Sequence, residues 1–558
     1  MESIANALRQ ALEQLFGQEM AETTEINLTV APEETGADYA TNLAMQLAGR
    51  LHQAPRTIAE AIVNELAGQA TEFTVEIAGP GFLNFRLADQ FFAAQVSKQA
   101  AGELGFAIDD YRDKVVVAEF SDPNPFKVLH VGHLYTSVVG DAISRLLELA
   151  GAKVIRANFG GDVGLHVAKN LWAVQRHGYQ PEELTIDLLA ECYVEGTRAY
   201  EDDAQAKTEI TALNQEIYRI NNEDDHEGRL AELYWRGREL SYEYFREFYQ
   251  RIGLVFDKYY PESSVAGRGL TEVRAHLGTT YEESDGAVVY KGEKVGLHTR
   301  VFINRGGVPT YEAKDVGLIF TKWDDWHFDE SVVITANEQT DYMRVVLASV
   351  QEYAPELVER TTHLTHGMVR LPGNQKMSSR KGNFLRAVDT INLVKERAAE
   401  LADGEQDERT EQLALAAIKY AFLKYRVGGD IVFDPAESVA VTGNSGIYII
   451  YSLVRAKKIL SKVVVGELSD LEGVHERKLA QKLAQYGETL VQATLEKAPS
   501  KVCSYLFELA QEFSRFYEHE QVAGDAREGA RAVLVQAFAQ VLEHGLALLG
   551  IEKIPEDM

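Results

Sequence analysis

Polar and apolar positions divide the chain into three territories. Near the N-terminus Ile4, Leu8, Leu12 and Leu15 recur at helical spacing, and Phe73 to Leu87 alternates around Gly79-Pro80-Gly81. An amphipathic helix and a pair of strands joined by a turn are predicted there, a small α+β unit ending before about residue 110. From Lys114 the pattern becomes short continuous apolar runs separated by helical periodicity. Val115, Val116, Val117, Ala118 and Phe120 read as a strand buried on both faces. Val139, Ala142, Ile143, Leu146 and Ala150 read as the helix after it, with Gly151 as its stop. Lys153 to Asn158 is the next strand, and Gly286 to Tyr290 and Ser331 to Thr335 repeat the pattern.

That order predicts a doubly wound parallel sheet over residues 111–385. Between about Pro181 and Tyr260 the chain turns polar and helical, notably from Leu233 to Arg251, which predicts an insertion packed on the sheet. After Asn383 strand signals largely stop, so residues 386–558 are expected to be all-helical, with Ser469 to Glu476 as a surface loop. No internal repeat or low-complexity tract interrupts this plan.

Composition changes the picture little. A chain of 558 residues has room for three to four domains, and 46% hydrophobic with 25% charged residues is ordinary for a globular protein. Cys192 and Cys503 are the only cysteines, too few for a disulfide framework or a cysteine-rich zinc site. The N-terminus lacks the basic and apolar regions of a signal peptide and no apolar run could span a bilayer, so a cytoplasmic location is expected. A net charge of −29 argues against indiscriminate nucleic-acid coating. It leaves room for a selective RNA enzyme with local basic stripes.

The chemistry concentrates in Pro123-Asn124-Pro125-Phe126-Lys127-Val128-Leu129-His130-Val131-Gly132-His133, at the handover from the first sheet strand to its helix. Two histidines converge on a helix N-terminus, where free backbone N–H groups and the helix dipole favour a phosphate, and Gly132 permits close approach. A plain strand-to-helix turn and a metal site are the other readings of these residues. The metal reading lacks a nearby cysteine, an i, i+4 histidine pair and a third ligand. A second element, Leu371 to Asn383, places glycines around three cations and two hydroxyls, as in a loop that closes on anionic oxygens.

Together the two elements resemble the paired signatures of the class I aminoacyl-tRNA synthetases. Glu119 to Asn124, Asn158 to Gly164, Pro309 to Asp315, Met377 to Asn383 and the helical C-terminus are similar to the arginyl members of that class. The resemblance implies a Rossmann-like catalytic domain, an appended N-terminal domain at 1–110 that touches the tRNA elbow, and a helical anticodon-binding domain within 386–558. It implies ATP with Mg²⁺ as substrate complex, L-arginine and tRNA(Arg) as partners, a monomer, no membrane and no resident metal. Activation itself would require tRNA.

By the same resemblance, Lys127, His130, His133 and Lys376 would be catalytic. ATP would meet His130, Gly132, His133, Met377, Ser378, Ser379, Arg380 and Lys381. Arginine would meet Glu119, Asn124, Tyr311, Asp315 and Gln339, and two carboxylates suit a planar guanidinium fork. Tyr448, Tyr451, Arg455 and Lys458 are the candidate tRNA contacts. The chain departs from the class pattern at Ser379, where a second lysine is usual, and Lys127 stands where arginyl enzymes place a substitute. Val128, Tyr135 and His166 replace a proline, an arginine and a glutamine. Two rival classes remain at this stage, a small-molecule adenylyltransferase and a non-catalytic tRNA-binding paralogue.

Overall fold

A computed structural model describes residues 2–67, 72–104, 110–370, 372, 385–401 and 407–555. Their contacts define two compact units. One takes Met1–Gly105, Arg455–Gly487 and Glu508–Leu542, the other Phe106–Val454, Glu488–Phe507 and Glu543–Met558.

In the first unit β1 (Thr29–Val30), β2 (Tyr39–Thr41), β3 (Phe73–Ala78) and β4 (Phe82–Leu87) form an antiparallel sheet in the order β1-β2-β4-β3. The predicted turn joins β3 to β4, and Ile4, Leu8 and Leu12 of the helix Glu2–Phe16 are fully buried, as their spacing requires. The C-terminal helix Val474–Ala484 belongs to this unit. Its Arg477 is bonded to Asp38 at 3.0 Å, to Asp89, and to the Leu87 carbonyl at 3.3 Å. The expected surface loop at Ser469 to Glu476 holds over residues 469–473 and is corrected at its end. Residues 474–476 are helical, and Glu476 is fully buried because Arg527 and Arg531 neutralise it at 2.8 Å each. An acidic residue reads as exposed in sequence until its distant cations are known.

In the second unit, β5 (Val115–Glu119), β6 (Lys153–Gly160) and β7 (Lys258–Pro261) are followed by β8 (Glu282–Ser284), β9 (Ala287–Tyr290), β10 (Arg300–Ile303), β11 (Glu330–Ala336) and β12 (Thr361–His366). The order β12-β11-β5-β6-β7, parallel throughout, is the doubly wound arrangement predicted. Strands β8, β9 and β10 make a separate antiparallel sheet. The strand order reverses between β5 and β11, which opens a crevice at their carboxyl ends. The insertion is helical at Ile186–Asp202, Ala204–Asn222 and Arg229–Ile252. Its Leu189, Cys192, Ile210 and Tyr234 share a core with Val167, Leu171 and Val174 of the helix Leu165–His177. Beyond residue 385, β14 (Ile431–Val432), which pairs with β13 (Val369–Arg370), is the one strand among the described residues.

Candidate active site

The turn after β5 is held in a conformation that ordinary residues avoid. Ser121, Asp122 and Phe126 have φ values of 75°, 47° and 65°. Four contacts fix it. Tyr249 pairs its hydroxyl with that of Ser121 at 2.8 Å, and the Phe159 N–H donates to Asp122 at 2.8 Å. The Phe126 N–H donates to Ser241 at 2.9 Å, and Asn170 donates to the Phe126 carbonyl at 3.0 Å. Gly237 lacks a side chain because a Cβ there would lie 2.4 Å from the Phe126 ring. The insertion helix thus clamps the turn that presents Asn124 and Lys127.

His130 caps the helix Val131–Leu149. Its Nδ1 accepts the Gly132 N–H at 3.1 Å, while Nδ1 of His133 accepts the His130 N–H at 3.1 Å. Both imidazoles stack at 3.8 Å. Burial pushes the His130 imidazole down to about 4, with the Lys127 charge adding to it, and pushes His133 well below its ordinary value. Neutral rings with Nδ1 as acceptor carry their proton on Nε2. The helix start therefore presents two Nε2–H donors beside an ammonium. Gly132 has a packing reason, since a Cβ would lie 2.9 Å from the His130 ring.

Lys127 lies over the Tyr193 ring at 4.6 Å from its centroid. Burial alone would raise the Tyr193 phenol, but Lys127 reverses that and holds it below its usual value. A cavity of about 660 Å³ opens here, lined by Asn124, Lys127, His130, His133 and Arg386, and by Tyr193 and Arg198 of the insertion. Arg386 belongs to the chain that returns from the second signature. The Leu385 carbonyl accepts the Val131 N–H at 2.9 Å, and the Ala387 N–H donates to the Leu129 carbonyl at 2.9 Å. The chain from Leu385 is thus stitched to the histidine segment. Lys376, Met377, Ser378, Ser379, Arg380 and Lys381 themselves lie outside the described residues.

On the other side of the turn the crevice is acidic. Glu119, 3% exposed at the end of β5, accepts from Lys322 at 2.5 Å, and Lys322 also donates to Ser331 at 2.9 Å. Asp315, 8% exposed on the helix Tyr311–Trp326, accepts from the Tyr342 hydroxyl. Burial raises Asp315 to about 8, with Tyr342 opposing the shift and Glu119 adding to it. Asp122 is likewise raised, by burial first and by Glu119 second. Glu119 is bonded to the buried Lys322, whose charge also acts on Asp122 and Asp315. Asn124 accepts the Gly161 N–H at 2.8 Å. Tyr311 is 53% exposed, and Gln339, also exposed, lies in the short turn that follows β11.

Glu262, Lys314, Lys322, Asp122, Tyr193 and Tyr342 were not singled out by sequence. Lys314 donates to Glu262 at 2.5 Å, and both are buried. Burial alone would lower Lys314, but Glu262 holds it well above its ordinary value. Lys314 and Asp122 sit inside stretches that carry the family resemblance, which is the signal that could have found them. The three departures are also placed. Val128 is buried beside the cavity, and Tyr135 fills the core against His366 and Phe422 with ring centroids 4.9 and 5.3 Å away. His166 pairs Nε2 with the Gly161 carbonyl at 2.6 Å, leaving a buried Nδ1 with no partner among the described residues.

Tyr448 packs edge-on against Phe507 at 5.9 Å, and Tyr451 is exposed. Arg455 lies over the Tyr517 ring at 5.3 Å, and Lys458 is exposed.

Comparison with known proteins agrees with this geometry. The family model for the class I (R) tRNA synthetase catalytic domain matches residues 98–434. Those for the arginyl tRNA synthetase N-terminal domain and the DALR anticodon binding domain match residues 2–87 and 449–558. Arginine–tRNA ligase of Treponema denticola is 30% identical over 72% of this chain and 72% of its own. That of Treponema pallidum is 28% identical over 99% and 98%. Arginyl-tRNA synthetase of Thermus thermophilus superposes with a TM-score of 0.79 at 25% identity, covering all of both chains. The Plasmodium falciparum enzyme shares the fold, with a TM-score of 0.80 at 19% identity over 100% and 99%. This chain belongs to the arginyl branch of the class I aminoacyl-tRNA synthetases.

Proposed function

We propose a division of labour by which this arginine–tRNA ligase activates L-arginine with ATP and passes it to tRNA(Arg). The observation that carries it is the pairing of two Nε2–H imidazoles and Lys127 beside a strained turn with the buried carboxyl groups of Glu119 and Asp315. Asp315 and Glu119 take the guanidinium as a planar fork, and a point-charge ammonium fits them less well. Asn124, Tyr311 and Gln339 orient the rest of the amino acid. His130, His133 and Lys127 hold the phosphates of the MgATP substrate, with Gly132 at the closest approach.

The arginine carboxylate attacks the α-phosphorus, the bond to pyrophosphate breaks, and arginyl-adenylate forms. Positioning and charge stabilisation dominate such transfers. Lys376, Met377, Ser378, Ser379, Arg380 and Lys381 meet the leaving pyrophosphate. In the second step a ribose hydroxyl at the tRNA 3′ end attacks the carbonyl and AMP leaves. Tyr448, Tyr451, Arg455 and Lys458 contribute to tRNA binding, and the enzyme works as a cytoplasmic monomer.

The test is aminoacylation of total tRNA with each of the twenty amino acids in turn. Transfer of arginine alone is expected. Transfer of another amino acid, or tRNA binding without any transfer, would overturn the reading.

A further inference from the structure

The insertion helix Ile186–Asp202 forms one wall of the cavity beside the histidine segment, where Tyr193, Val194 and Arg198 line the same space as Lys127. Tyr193 is half-buried there, and the Lys127 ammonium lies over its ring at 4.6 Å from the centroid. Among the described residues Lys127 has no ion pair with a carboxylate, so an aromatic face, and not an anion, holds it.

The two ways of holding a lysine differ in consequence. A carboxylate cancels the charge that an incoming phosphate needs. A ring attracts the ammonium through its quadrupole and leaves the net charge in place. A lysine held by nothing would have to freeze its flexible stem as the transition state forms.

Three features fix the insertion helix against the turn that carries Lys127. Asn170, fully buried on the helix Leu165–His177, donates to the Phe126 carbonyl at 3.0 Å and to the Leu189 carbonyl at 2.6 Å. One amide thus ties the residue before Lys127 to the helical turn before Tyr193. Gly196 permits a close approach, since a Cβ there would lie 1.9 Å from the Lys169 carbonyl oxygen. Arg386, in the chain stitched to the histidine segment, is paired with Asp187 in the first turn of the insertion helix. The phenol registers the contact, because burial would raise it and the Lys127 charge outweighs burial.

We propose that Tyr193 is a positioning residue for adenylate formation: its ring holds the Lys127 ammonium, with its charge intact, where the ATP phosphates develop negative charge. The inference deepens the reading above and rests on its assignment of Lys127 to the phosphates.

The test uses the full chain with tRNA(Arg) present and measures arginine-dependent pyrophosphate exchange in a cycle of Tyr193 and Lys127 variants. Tyr193→Leu, which removes the ring but keeps an apolar side chain, is expected to lower kcat roughly ten-fold, as for loss of one desolvated cation–π contact, with KM for arginine unchanged. Tyr193→Phe keeps the face and should recover most of that loss. In the Lys127→Ala background Tyr193→Leu should cost nothing further, because the ring acts through the lysine. Equilibrium dialysis with arginine checks that each variant keeps its fold.

A full rate in Tyr193→Leu would overturn the proposal and leave the role of Lys127 standing. A loss in Tyr193→Phe equal to that in Tyr193→Leu would assign the effect to the hydroxyl and would equally overturn it. So would a loss that persists in the Lys127→Ala background with a raised KM for ATP, which makes the ring a stacking face for adenine. A full rate in Lys127→Ala would instead strike the functional reading, and this inference with it.

Discussion

The backbone N–H of His130 donates to Nδ1 of His133 at 3.1 Å, so a single bond both closes the helix start and fixes which ring nitrogen carries the proton. His133→Ala removes cap and phosphate donor together and should lower kcat/KM for adenylate formation by about 3 kcal/mol in transition-state stabilisation. His133→Asn keeps a capping acceptor but has no donor at the Nε2 position. It should retain thermal stability near wild type and lose activity like the alanine variant. Recovery of activity in the asparagine variant would remove the phosphate role. Because His130 and His133 are held neutral, they release protons on folding. Stability should fall as pH drops below about 6.5 and through the folded values, about 4 for His130.

If Asp315 takes the guanidinium as proposed, arginine binding should depend on pH. Its carboxyl is raised to about 8 by burial, so it is largely protonated at neutral pH before arginine arrives. A guanidinium favours the ionised form and lowers the bound value, so binding expels a proton. Arginine affinity should therefore rise with pH from 6 to about 8 and then level off. Calorimetry in two buffers of different ionisation enthalpy reads the proton directly. Tyr342→Phe removes the hydroxyl that opposes the shift and should move the plateau to higher pH. Asp315→Asn should abolish the pH dependence together with most of the affinity.

What the sequence could reveal follows burial. β5 lies in the middle of the parallel sheet and begins as an unbroken apolar run, while β6 beside it carries Arg156 and Asn158 among its apolar residues, and the positions of both are legible to within a residue or two. β12 is an edge strand of sequence Thr-Thr-His-Leu-Thr-His, and its polar side chains conceal it. β7 is too short to show a period. At the site, His130 and His133 are neighbours in sequence, and their convergence follows from helix geometry alone. Lys322 reaches Glu119 across 203 residues and Lys314 reaches Glu262 across 52, so no local pattern announces either pair.

Lys127 is the cation on which phosphate stabilisation should lean, given Ser379 where a second lysine is usual. Lys127→Ala should reduce adenylate formation on the order of 10²-fold or more, as for loss of one preorganised charged donor. Arginine affinity should change far less, because Glu119 and Asp315 lie on the opposite side of the strained turn. Equilibrium dialysis with arginine alone separates the two effects. Wild-type adenylate formation in this variant would reassign the phosphate charge to Lys376 or Lys381.

The acidic crevice depends on two helices that touch through glycine. A Cβ on Gly317 would lie 2.2 Å from the Val265 carbonyl oxygen, and one on Gly269 would lie 1.9 Å from that of Ala313. This close approach lets Lys314 reach Glu262 and sets Asp315 at its depth. Gly317→Ala forces the helices Glu262–Ala275 and Tyr311–Trp326 apart and should cost about 3 kcal/mol of stability. It should also raise KM for arginine, because Asp315 lies two residues away on the displaced helix. Gly267 is on the first of these helices with nothing within 4 Å of its missing Cβ. Gly267→Ala should therefore stabilise the protein by roughly 0.5–1 kcal/mol through helix propensity, without altering the arginine response. Denaturant melts of both variants, compared at equal m, decide the point. Equal effects at the two glycines would mean that backbone propensity governs both and that helix contact does not set the crevice.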